Sequence, residues 1–128
     1  MTSARMIRSS LVIAGLATGF SAAAFADGPQ AVTTAAQHAG FAAASTDIAG
    51  VHLHLHHVLN CLVGPQGEGF DGAAGNPCSG TGAAIPQTMD SAIKMKLENV
   101  AAQARMGIAD NNLETAQKTA MEIQSELE

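Results

Sequence analysis

The chain has 128 residues, 47% hydrophobic in the broad sense and 13% charged, with eleven acidic side chains against six basic and a formal net charge of −5. A domain takes about 100–200 residues, so there is room for one, and the acidic excess excludes a basic nucleic-acid-binding face. Four Phe with no Trp or Tyr leave no aromatic platform for stacking bases.

Residues 1–26 have the pattern of a removable export signal. Arg5 and Arg8 precede the apolar run Leu11-Val12-Ile13-Ala14-Gly15-Leu16-Ala17, and small residues end in Ala24-Phe25-Ala26. A basic start, a short apolar core and an A-x-A site are what a signal peptidase recognises. The run is shorter than the ~20 residues a bilayer span needs. Cleavage before Asp27 removes Arg5 and Arg8, which makes the mature chain more acidic. Residues 27–128 are therefore expected as a single helical domain, periplasmic or secreted, with no membrane association after cleavage.

The first half of that domain predicts two helices. From Gln30 to Leu62 the chain is Ala-rich and free of Pro, broken by Ser45-Thr46-Asp47, residues that favour turns and helix N-caps. Helices at 30–44 and 47–62 follow, the second with Ile48, Val51, Leu55 and Leu62 on its apolar face. A single long first helix bent near Gly50 is the competing reading and would give a three-helix bundle.

All five histidines, His38, His52, His54, His56 and His57, lie in this half. On a helix His52 and His56 stand one turn apart on one face. A reversal near 45–46 puts His38 opposite His52, so the expected cluster is His38, His52 and His56, with His54 and His57 pointing outward. The alternation of residues 51–56 also fits a half-buried strand, in which His52, His54 and His56 share a face. Neutral imidazole suits Cu, Zn, Ni and Fe, whereas Ca and Mg prefer hard oxygen donors. A His-rich tract is itself a compositional sign of metal binding. No H-E-x-x-H is present, and no acid lies within 52–57 to act as a base. Asp47 is left to cap the helix or to orient a ligand.

Cys61 and Cys78 are the only cysteines. An oxidising compartment favours joining them, whereas two thiolate metal ligands would fit a reducing one. Between them lie Gly64, Pro65, Gly67, Gly69, Gly72, Gly75 and Pro77, a composition that forbids regular structure. The segment is expected to be a stapled loop with Phe70 packed onto the helices. It lacks the alternating Asp/Asn ligands of a calcium loop.

A further helix is predicted from about Pro86, a favourable first-turn residue. Met89, Ile93, Leu97, Val100, Ala104 and Ile108 recur at helical spacing and mark a buried stripe, with Met95 and Met106 on the opposite, exposed face. Asp110-Asn111-Asn112 breaks and recaps the chain. Leu113, Ala116, Ala120, Ile123 and Leu127 then form a last stripe. The halves echo each other: Ala35-Ala36-Gln37 matches Ala101-Ala102-Gln103, and Gly40-Phe41-Ala42 matches Gly107-Ile108-Ala109. The expected fold is all-α, a four-helix bundle of two antiparallel αα-hairpins joined by a Gly-rich, disulfide-closed loop.

Through the export signal, the Ala-rich hairpin repeat and the histidines beside its turn (38–62 and 101–127), the chain resembles the small metal-binding protein family of the bacterial periplasm. That resemblance implies a His-rich four-helix bundle binding copper and related divalent ions. The chain departs from it in carrying histidines only in its first half and in its disulfide-closed loop, which favours one or two sites over storage.

The sequence thus predicts a non-enzymatic periplasmic protein that binds Cu, Ni or Zn through its histidines, as a buffer, carrier or sensor accessory. No nucleophile–base pairing or paired carboxylate motif points to catalysis. The alternatives are a bis-His haem-binding bundle and a cofactor-free helical module whose Met95/Met106 face meets a periplasmic protein partner.

Overall fold

Pro29–Ala44 forms α1, and Ile48–Val63 forms α2 after a three-residue reversal. Asp47 caps α2, its carboxylate accepting from the Gly50 amide at 2.8 Å. That break excludes one long helix bent at Gly50, and α2 is helical throughout the alternating 51–56 segment. The computed structural model describes residues 29–128, so the predicted export signal lies outside the described residues. Among them there is no strand, and no helix long and apolar enough to cross a membrane.

α2 ends at Gly64, whose φ of 73° lies where glycine is favoured, and where a Cβ would stand 2.8 Å from that of Ala83. The loop that follows holds a 3-10 turn, Gly72–Ala74, and returns to α2 through the Cys61–Cys78 disulfide. Phe70 is half-buried there.

The next segment differs from expectation. Pro86 sits in a one-turn helix, α3 (Ala84–Gln87), and the long helix α4 begins only at Ser91 and runs to Ala109. Asp90 decides the start, its carboxylate accepting from the amides of Ala92 and Ile93. Met89 therefore falls in the connection between α3 and α4 and is 92% exposed, not core. Asn112 caps α5 (Leu113–Leu127) by accepting from the Thr115 amide.

The stripes read from the sequence face one common core. Val51, Leu55, Val58, Leu59 and Leu62 of α2 meet Leu97, Val100 and Ala104 of α4 and Ala116, Ala120, Ile123 and Leu127 of α5, all buried. α1 packs on α2 and α5, α2 on α4, and α4 on α5. Close approach takes the place of side-chain bulk. At Gly107 a Cβ would stand 2.7 Å from Leu55 Cδ1, so α4 lies tight on α2. α1 offers Ala31, Val32, Ala35, Ala36, Ala39 and Ala42 to the core, and nothing larger than valine. Small contact residues draw helix axes toward the short end of the usual 8–10 Å range. This lets short imidazoles on α1 and α2 touch.

Candidate metal centre

His38 on α1 meets His54 and His57 on α2. The Nδ1 of His38 lies 3.2 Å from the Nδ1 of His54 and 3.2 Å from the Nδ1 of His57. One ligand atom from each ring lies within 4.8 Å of those of the other two, which makes the three histidines a group that could hold a metal ion. Imidazole nitrogens on a tetrahedral ion, with bonds of about 2.0–2.1 Å, stand about 3.4 Å apart. The His38 pairs are already near that separation.

The expected cluster of His38, His52 and His56 does not form. Along α2 the buried stripe Val51-Leu55-Val58-Leu59-Leu62 points into the core. His52 and His56 fall on the flank away from α1, and His54 and His57 on the flank facing it. His52 instead donates Nε2–H to the Asp110 carbonyl at 2.7 Å, tying α2 to the α4–α5 turn. His56 stands 3.9 Å from the Asp71 carboxylate, its Nδ1 buried without a hydrogen-bond partner. Asp47 is a cap and not a ligand orienter.

Protons alone satisfy the trio poorly. A carbonyl only accepts, so the 2.7 Å contact between His57 Nε2 and the Ala74 carbonyl places the ring proton on Nε2. The Nδ1 of neutral His57 is then a lone pair facing His38. His38 Nδ1 can offer one proton, yet two nitrogens stand at hydrogen-bond distance from it. A cation between the rings would turn this deficit into three favourable contacts.

Two of the three rings, His38 and His54, are also held neutral. Burial, and then the neighbouring His57 and His54, bring the pKa of His38 down from 6.5 to about 4. Burial and His57 lower that of His54 as well. Neutral imidazole is the metal-binding form. Phe41, one turn after His38 on α1, sets its ring edge-on to His38 at 5.5 Å and tilted against His54 at 5.4 Å. With 54% of its surface exposed, Phe41 flanks His38 and His54 at the protein surface.

One part of the surroundings was not anticipated. Asn60 is wholly buried, and its side chain makes three bonds to the stapled loop. Its amide donates to the carbonyls of Asp71 and Gly75, both at 2.7 Å, and its carbonyl accepts from the Asp71 amide at 3.0 Å. The signal for it was a lone polar residue in the apolar run 58–63, directly before Cys61. A buried amide has to be satisfied by something.

No known protein family, curated protein or solved structure matches this chain.

Proposed function

We propose that this protein is a non-enzymatic, exported metal-binding protein that holds one Cu, Ni or Zn ion between His38, His54 and His57. The observation that carries this reading is the convergence of three Nδ1 atoms from two helices with too few ring protons between them. An all-imidazole donor set suits borderline transition ions and not Ca or Mg. Nitrogens packed this closely favour an ion over haem, whose axial pair must stand on opposite faces of a porphyrin. In this reading α1 with α2, and α4 with α5, are two αα-hairpins forming a four-helix bundle. Export through residues 1–26 to the periplasm agrees with a disulfide-stapled fold. The exposed Met95 and Met106 are available to a periplasmic partner that delivers or receives the ion.

Calorimetric titration of the mature protein with Cu(II), Ni(II) and Zn(II) tests this. Replacing His38, His54 or His57 by Ala is expected to weaken binding at least about tenfold, the scale on which a site answers to loss of ordering around its ligands. His52→Ala should bind as the wild type does. Trio variants that bind as tightly as the wild type would remove the site.

A further inference from the structure

We propose that Asn60 is a positioning residue for the metal centre, holding loop residues 71–75 so that the Ala74 carbonyl fixes His57 in the tautomer that presents Nδ1 to the ion. This deepens the metal reading and rests on it. Asn60 lies one helical turn beyond His56–His57 and touches none of the three ring nitrogens. Its three bonds grip the backbone at Asp71 and Gly75, on either side of Ala74. Ala74 ends the 3-10 turn that the Asp71 side chain caps by accepting from the Ala73 amide at 2.9 Å. The Cys61–Cys78 bond closes the same segment from its far side. The Ala74 carbonyl is thereby anchored at 2.7 Å from His57 Nε2.

A neutral imidazole has a single ring proton, and the hydrogen bond made by one nitrogen decides which nitrogen is the ligand. Were the loop to drift, His57 could place its proton on Nδ1 and turn an N–H toward the ion. The polar residue buried under the loop thus selects the ligand atom without touching the metal. His54 makes no hydrogen bond to the loop and depends on the ion and on His38 for its tautomer.

Ring nitrogen-15 NMR on the metal-free mature protein, together with Zn(II) calorimetry, tests this. In the wild type His57 should show the Nε2–H tautomer before any metal is added. Asn60→Ala should shift His57 toward a mixture of tautomers and weaken Zn(II) binding about 10–100-fold, the range typical for loss of a histidine's orienting partner. Asn60→Asp keeps the acceptor for the Asp71 amide but sets a carboxylate oxygen against the Asp71 and Gly75 carbonyls, acceptor against acceptor, and should disturb both readouts at least as much as Asn60→Ala. Leu113→Ala, in the first turn of α5 beside the Asp110 turn and packed on the core, should lower stability, leave Zn(II) affinity within about threefold and leave the His57 tautomer unchanged. A wild-type His57 protonated on Nδ1 overturns the proposal, and needs no variant to fold. So does a folded Asn60→Ala with wild-type tautomer and affinity. Absence of Zn(II), Cu(II) and Ni(II) binding by the wild type would instead overturn the metal reading, and the tautomer result would still judge the loop's role.

Discussion

Acid should destabilise the metal-free protein earlier than its carboxylates alone would, and His38 should be the main reason. Its pKa is 6.5 when free and about 4 in the fold, lowered by burial and by His57 and His54. A depressed folded value means the unfolded chain takes up the proton first. The contribution to stability is fully present above pH 6.5, declines below it, and is gone once pH has fallen through about 4. Each tenfold change in proton affinity is worth about 1.4 kcal/mol, which caps the effect at about 3 kcal/mol. The ring is only half-buried, and solvent screening brings the expected loss to about 1–2 kcal/mol. His54 adds in the same direction. Urea unfolding followed by far-UV circular dichroism, in chelator-treated buffer at pH 7 and pH 5, measures this above the range where most carboxylates titrate. His38→Gln cannot gain a charge, and the interval from pH 7 to 5 covers about half of the titration, so the variant should lose about 0.5–1 kcal/mol less than the wild type over it. Equal losses in the two proteins would refute the idea that His38 is held neutral by its surroundings.

Three other outcomes follow from the packing. Opening the Cys61–Cys78 bridge, which spans 17 residues of sequence, by replacing both cysteines with Ser should cost about 3 kcal/mol in a urea melt if chain entropy governs; an unchanged midpoint would count against that. Leu55 is fully buried and lies against Gly107, so Leu55→Ala should lower stability by about 2–5 kcal/mol, and a loss below 1 kcal/mol would show that the α2–α4 contact is looser than described. His52→Ala removes its bond to the Asp110 carbonyl and should cost about 1 kcal/mol with no change in metal affinity; a large affinity loss would return His52 to the site.

Much of the architecture was legible in the chain. The apolar stripes at Leu97, Val100 and Ala104 and at Ala116, Ala120, Ile123 and Leu127 are buried as their spacing implied. Cys61 and Cys78 are joined. The turn at Ser45-Thr46-Asp47 was readable because Asp47 is a strong N-cap. Met89 was misplaced because its spacing continues the α4 stripe. Capping by Asp90 starts that helix two residues too late to include it. Spacing reports phase within a helix and is silent on where the helix begins.

The histidines show the same division more sharply. Composition showed that the imidazoles gather on the two helices of an Ala-rich hairpin, and ligand chemistry names the ions that such a group could hold. Which of them meet was decided by the rotation of α2 about its own axis. That rotation is fixed by the burial of Val51, Leu55 and Leu62 against α4 and α5, elements some fifty residues further along the chain. It turned His54 and His57 toward α1 and sent His52 to the Asp110 carbonyl. The Ala74 carbonyl and the Asn60 amide could not be placed from the chain either, because a backbone oxygen carries no sequence signature and only the closed loop brings it to a ring nitrogen.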